Sequence, residues 1–318
     1  MLLLFCCNAL EFIALETTEF SPLRLQPDCA ATSRPVIGIL SQPGDFGEFV
    51  NGPNVKFLEL AGARVVPISY LASAHDIKHL MSLINGVVFP GGNELLKNGQ
   101  QYFETGKVVW DEILKANKRG DYFPLFGICQ GFEQILLYAS GDDELLSNFS
   151  GTEDVALPFT LTGERSAFLS SIPSQLITDA TLMNLTYNAH DLGISPSAFD
   201  RSPASSLLKA VATGTDDSGK PFLAIVEGKD LLPVYGVQFH PEKVIFEMDE
   251  FESYEGVPHS LQAIRFSQAI ANAFVEQTRC NSHTFADVHT LSSHLIQNHH
   301  FKYAPFSKDL PESYKMIL

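Results

Sequence analysis

The sequence predicts an α/β fold in which a mostly parallel central sheet carries helices on both faces. Three observations predict it. Short apolar runs alternate with segments of helical spacing from about residue 34 to 280, the arrangement that yields parallel strands joined by crossover helices. At 125–133 an apolar run ends in a glycine-flanked cysteine and passes into an amphipathic pattern, LFGICQGFE, which reads as a strand, a sharp turn and a helix. At 234–242, VYGVQFHPE, a second apolar run ends at His240, so an imidazole emerges at a strand end, where open α/β sheets gather their ligands.

In chain order, Val36–Leu40 is the first expected strand. Residues 55–61 carry helical spacing that stops at Gly62, and Arg64–Ile68 is the next strand. A second helix is expected over 75–84, and Gly86–Phe89 is the strand that delivers Pro90, Gly91 and Gly92. Over 108–118 the apolar residues Val108, Val109, Ile113 and Leu114 share one helical face, closed by Gly120. The strand bearing the cysteine covers 123–128, and its helix 130–139. Later strands are expected at 222–227 and 234–239, and a last helix at 260–275. Right-handed crossovers place the first four strands side by side with their C-terminal ends on one edge, so Cys129, His240 and Gly92 can meet.

Gly127 and Gly131 flank Cys129 in a G-x-C-x-G pattern, the sulfur counterpart of the serine elbow, and their small size makes room for the tight turn. A helix starting at Gln130 sets the thiol at a positive dipole end, which predicts a pKa below the ordinary value of about 8.5. His240 is the candidate base. Glu242, two positions on across Pro241, is placed to orient the imidazole, giving a Cys-His-Glu triad. The run GVVFPGG at 86–92 closes on successive glycines that can aim backbone N–H groups at a ligand. The amides of Gly92 and Gln130 are the expected oxyanion donors. Each piece has a plain alternative: a buried inert cysteine, a turn with a solvated carboxylate, an ordinary Pro-Gly-Gly turn. Their combination carries the signal.

In the order PGG, G-x-C-x-G, HPE, the chain resembles the class I glutamine amidotransferase-like superfamily, and within it the gamma-glutamyl hydrolases. The finer resemblance rests on RPVIGIL at 34–40, VKFLELAGARVVPI at 55–68, INGVVFPGG at 84–92, DYFPLFGICQGFE at 121–133 and PVYGVQFHPEKVIFE at 233–247. It implies a flavodoxin-like sandwich with a nucleophile elbow, and a cysteine peptidase that needs no cofactor or metal. The implied substrate is a folylpolyglutamate, cleaved at its gamma-linked glutamates. Cys129 and His240 match the catalytic residues, and Glu242 matches the triad carboxylate of the wider superfamily. His190, in NLTYNAHD at 184–191, resembles a second active-site histidine near the glutamyl pocket and is assigned to substrate binding. The resemblance also implies a homodimer, and residence in the lysosome or vacuole, or secretion. Two departures stand out. The segment 41–54 is shorter than is usual in the family, and Phe239 stands where many relatives carry tryptophan.

The rest of the chain sets bounds. With 318 residues, 45% hydrophobic and 18% charged, it can bury one large core, read here as a catalytic domain over 34–280 between an N-terminal lead, 1–33, and a C-terminal tail, 281–318. The tail is expected to be a peripheral helix and an exposed end, and its histidines follow no zinc-binding spacing. A formal charge of −16 argues against nucleic acid or an anionic membrane surface as partner. The same charge opposes a polyanionic substrate, so local cations must offset it, with Lys243 and Arg165 as candidates. MLLLFCCNALEFIAL is a candidate secretory signal that lacks a basic start and is interrupted by Glu11. The sequons at Asn148 and Asn184 are candidate glycosylation sites compatible with export. Of five cysteines, Cys6 and Cys7 would leave with any signal, and Cys29 and Cys280 either pair or stay free. Glu133 is either a capping residue or a polar group facing the pocket, and stays outside the site at this stage. A glutaminase or a hydrolase of other gamma-glutamyl amides on the same scaffold is the competing enzyme, and a tail too short for a synthase domain counts against the glutaminase. A silent binding module is the competing class, and its mark would be a broken triad.

Overall fold

VIGIL at 36–40 is aliphatic at every position but one, and the strand it forms is buried on both faces, as a central parallel strand must be. The computed structural model describes residues 32–44, 47–247, 255–303 and 312–316. The candidate signal, with Cys6, Cys7 and Cys29, lies outside the described residues. The first half runs β1 (Val36–Leu40), β2 (Phe49–Asn51), α1 (Gly52–Leu60), β3 (Arg64–Ile68), α2 (Ala74–Met81), β4 (Gly86–Phe89), α3 (Gln101–Lys118), β5 (Leu125–Ile128) and α4 (Gln130–Ser140). Next come β6 (Ser147–Asn148), β7 (Val155–Leu157), β8 (Thr160–Leu161), α5 (Ala167–Ser170), α6 (Ser174–Leu182), β9 (Thr186–Asn188), β10 (Leu192–Gly193), α7 (Pro196–Arg201) and α8 (Ala204–Leu207). The chain continues through β11 (Leu208–Thr215), β12 (Pro221–Gly228), β13 (Val234–Val237), α9 (Lys243–Phe246), α10 (Leu261–Thr278), α11 (Val288–His294), β14 (His300–Tyr303) and β15 (Glu312–Lys315).

The main sheet has eight strands in the order β3-β1-β4-β5-β13-β12-β11-β8. Neighbours from β3 to β13 pair in parallel, and those from β13 to β8 are antiparallel. Successive strand residues supply opposite cores. Ile37, Ile39, Val65, Val88 and Phe126 pack with α1 and α10, whereas Val36, Leu40, Val66, Val87 and Leu125 pack with α2, α3 and α4. From β1 the chain crosses to β3 on one side, and from β4 to β5 on the other. The ends of β1 and β4 therefore bound the crevice where the strand order reverses, and β5 lies beside it.

The structure differs from the sequence reading in three places. Helix α3 starts at Gln101 rather than 108, because Tyr102, Phe103 and Gly106 extend its buried face. The strand expected at 222–227 is present as β12, but it is preceded by an unexpected strand, β11, with which it forms a hairpin closed by a turn that Asp216 holds through the amides of Ser218 and Lys220; so short a connection can join only antiparallel strands. The segment after 280 carries the expected helix, α11, and is largely exposed, yet its described part is anchored to the domain at several points. Phe285, Leu291 and Ile296 are buried, Asn281 bonds the Tyr122 carbonyl at 2.8 Å, and β14–β15 adds two strands to β2. Apolar residues spaced five or six apart among Ser, His and Asn do not register as a core pattern until a neighbouring surface exists to receive them.

Candidate active site

Cys129 sits between β5 and α4 with φ 49° and ψ −108°, a combination outside the ordinary wells for a residue bearing a Cβ. Neighbouring structure must hold it there. Its amide donates to the Val237 carbonyl at 2.8 Å, so β13 pins the turn, and its carbonyl accepts from Glu133 at 3.0 Å, which starts α4. A Cβ at Gly131 would overlap the Phe89 carbonyl oxygen, and one at Gly127 would approach the Gly131 carbonyl at 2.6 Å. The glycines of G-x-C-x-G are thus the places where β4, β5 and α4 come into backbone contact.

His240 follows β13, its amide held by the Tyr187 carbonyl at 2.7 Å. Its Nδ1 lies 2.7 Å from Glu242 Oε1, and both side chains are buried. That bond leaves Nε2 for the thiol proton. The preceding loop is what joins cysteine and histidine. A Cβ at Gly91 would stand 2.5 Å from His240 Cε1 and 3.4 Å from Cys129 Cβ, so both side chains converge on the Gly91 backbone. Gly92 is packed as tightly, since a Cβ there would overlap Gln42 Nε2 with Gln130 Oε1 3.0 Å away. In the resting site the Cys129 thiol donates to the Ala189 carbonyl at 3.9 Å.

The expected lowering of the thiol pKa is overturned. Burial pushes the Cys129 thiol well up, the charges of Glu133 and Glu242 add to it, and the Gln130 amide and Lys243 charge only partly oppose them. Desolvation at a residue only 4% exposed outweighs the helix end. Burial thus favours the thiol over the thiolate at Cys129.

Cys129 opens into a cleft of about 620 Å³ lined also by Gly92, Glu94, Gln130, Glu133 and His190. His190 Nδ1 bonds the Leu192 carbonyl at 2.8 Å, and burial lowers its pKa to about 4, which keeps the ring neutral. Glu133, left outside the site by the sequence reading, lies in it. Burial raises its pKa to about 8, against a 2.9 Å bond donated by Gln238. Its signal was present: four positions beyond Cys129, at the N-terminal end of α4, a side chain falls on the same face as the thiol. Neither Lys243 nor Arg165 lines the cleft. Lys243 is buried with Nζ 3.8 Å from Glu247, and Arg165 is exposed. The lining cation is Lys97, paired with Glu144 at 2.7 Å, and it faces Glu94, Glu133, Asp143, Glu153 and Asp191. Phe239 packs against Phe159 and Phe266 in the core and does not wall the cleft. Among the described residues, no group of three or more His, Cys, Asp and Glu is placed to hold a metal ion, and no helix is long and apolar enough to cross a membrane.

A glycine-flanked cysteine on a strand-to-helix turn, with a histidine from a neighbouring strand end packed against the same Gly91 backbone, defines a class, and residues 55–252 match the family model for glutamine amidotransferase class-I. Among curated relatives, gamma-glutamyl hydrolase B of Dictyostelium discoideum is 36% identical over 280 residues, covering 85% of this chain and 79% of its own. Gamma-glutamyl hydrolase of Homo sapiens is 32% identical, covering 89% and 88%, and gamma-glutamyl hydrolase 1 of Arabidopsis thaliana is 32% identical, covering 90% and 84%. The chain belongs to the gamma-glutamyl hydrolase family of hydrolases, on the class I glutamine amidotransferase fold.

Proposed function

We propose that this protein hydrolyses the gamma-glutamyl bonds of folylpoly-gamma-glutamates through a Cys129 thioester, with water as acceptor. The observation that carries the mechanism is the convergence of Cys129 and His240 on Gly91, with Glu242 behind the imidazole. As the sulfur attacks the gamma carbonyl carbon, the thiol proton passes to His240 Nε2 and the carbonyl pair moves to oxygen. The amides of Gly92 and Gln130 receive that oxyanion. The carbonyl re-forms, the C–N bond breaks, and the amine leaves with the proton from His240. Water then attacks the thioester, again losing a proton to His240, and the C–S bond breaks to release the acid and return the proton to sulfur. Glu242 holds the imidazole tautomer throughout.

His190 and Glu133 form the substrate-facing wall in this reading. A cleft rich in carboxylates admits a polyanionic tail more readily while Glu133 is protonated, which burial favours up to about pH 8. Residence in a lysosome or vacuole, or secretion, agrees with exposed side chains at both sequons, Asn148 and Asn184, and with a disulfide-bonded Cys280. A homodimer completes the reading.

The test is to incubate wild type and Cys129→Ser with a pteroyl-polyglutamate, glutamine and gamma-glutamyl-aminobutyrate and to identify products by mass spectrometry. Shortened polyglutamates from wild type alone are expected. Hydrolysis of glutamine alone would retire the substrate, and equal activity of Cys129→Ser would retire the mechanism.

A further inference from the structure

The loop at 90–94 has to present backbone N–H groups at a fixed point, yet it contains two adjacent glycines and no regular structure. Left alone, such a loop would sample many conformations, and a misplacement of about 1 Å can cost on the order of 10² in rate. Two buried primary amides hold it from opposite sides. From α4, the Gln130 side chain bonds both ends of one peptide position: its Nε2 donates to the Glu94 carbonyl at 2.7 Å and its Oε1 accepts from the Glu94 amide at 2.9 Å. From the end of β1, Gln42 lays its Nε2 against Gly92, in the space a Cβ would take. Gln42 is itself fixed. Its backbone bridges Phe49 through two bonds of 2.9 Å, its side chain faces the Tyr102 hydroxyl, and the residue is 2% exposed.

Burying a primary amide costs free energy unless its hydrogen bonds are recovered, and a leucine would fill the same space at lower cost. Two glutamines at this point, one from each side of the crevice where the strand order reverses, need a reason beyond packing. We propose that Gln42 and the Gln130 side chain are positioning residues that fix the 90–94 loop as the oxyanion-binding platform. They act through Gly92 and Glu94 and need not touch substrate. This inference rests on the cysteine-hydrolase reading.

The test exploits the fact that alkylation of a thiol needs no oxyanion hole, whereas attack on a carbonyl does. Wild type, Gln42→Leu and Gln130→Met are assayed with gamma-glutamyl-p-nitroanilide, and the rate of Cys129 alkylation by iodoacetamide is measured in parallel. Each variant is expected to lose on the order of 10-fold or more in kcat, since removal of one oxyanion donor costs about 10²–10³. KM should stay within about threefold and alkylation within about twofold of wild type, changes too small to account for the kcat loss. Gln130→Met keeps its own backbone amide, so it carries the test if Gln42→Leu does not fold. Unchanged kcat in the folded variants, or alkylation falling in step with kcat, overturns the inference. A wild type that alkylates but does not cleave the anilide overturns the cysteine-hydrolase reading instead, and the inference with it.

Discussion

Residues 36–140 and residues 147–240 build the two walls of one cleft by different means. The first half uses strands of four or five residues joined by helices of eight to eighteen, with one three-residue strand, β2, apart. Each unit carries its own periodicity. The stretch from 147 to 207 uses strands of two or three residues and helices of four to nine, tied together by side-chain bonds to backbone. Thr152 bonds the His190 carbonyl, Thr186 bonds the Leu157 carbonyl at 2.7 Å, and Lys220 reaches the Asn148 carbonyl at 2.6 Å. The difference teaches where the chemistry is anchored. The nucleophile's turn is fixed by backbone contacts with β4 and β13, whereas the wall with His190 adds such side-chain bonds to short backbone ladders of its own.

The largest expected effect tests the union of the two walls. His240→Ala removes the proposed base contributed by the second half, and kcat should fall by about 10²–10⁴, read in a steady-state assay. A variant within threefold of wild type would show that the walls do not cooperate in catalysis.

The next contrast substitutes one glycine in each half. A methyl at Gly131 collides with the Phe89 backbone carbonyl, which cannot move without β4, and the expected loss is at least the 1–3 kcal/mol typical of overpacking. At Gly193 the methyl meets the Phe149 ring edge at 3.2 Å, and a ring can shift by tenths of an ångström. Chemical denaturation should therefore place Gly131→Ala well below Gly193→Ala. The reverse order would mean that backbone contact is not what stiffens the first half.

A smaller effect follows from Glu133, whose proton the folded chain keeps up to about pH 8, whereas glutamate ordinarily titrates near 4.5. Between those values the native state binds more protons than the unfolded chain, so stability falls as pH rises through the window. His190 works in the opposite direction and lower down. Its pKa falls from 6.5 to about 4, so its contribution is lost as pH drops through that range. Measured from pH 6.5 to 8, the midpoint of thermal unfolding should fall in wild type and fall less in Glu133→Gln. In the same variant, loss of a neighbouring charge should shift the Cys129 alkylation profile toward lower pH. Parallel slopes and an unmoved profile would take Glu133 out of the site.

The smallest pair compares helix starts. Ser73 accepts from the Asp76 amide at the start of α2, and Ser195 from the Ala198 amide at the start of α7. Each Ser→Ala change should cost about 1 kcal/mol in denaturation midpoints, as caps do in either setting. A much larger loss at Ser195 would mark the short elements as the weaker frame.

Legibility followed the same division. Four strands of the first half, with the PGG and G-x-C-x-G turns, were readable because apolar runs of four or five residues bounded by glycine look the same in sequence and in space. His240 and Glu242 were readable as a strand end followed by a turn. The strands between 147 and 193 were not, because two or three residues hold no period, and their pairing partners lie up to 53 residues away in sequence, as Thr160 and Thr213 do. The helix end at Gln130 was visible, but its effect on the thiol was misjudged, since desolvation depends on neighbours from β4, β13 and the 90–94 loop.

By itself the chain determined which residues could react and where local structure would turn to present them, because glycine placement and side-chain period act over a few neighbouring positions. Tertiary structure alone decided the protonation of Cys129 and Glu133, the membership of Glu133 and Gln42 in the site, and the docking of residues after 280. Those properties depend on what excludes water and what lies within a few ångströms, and such neighbours come from segments far apart in the chain.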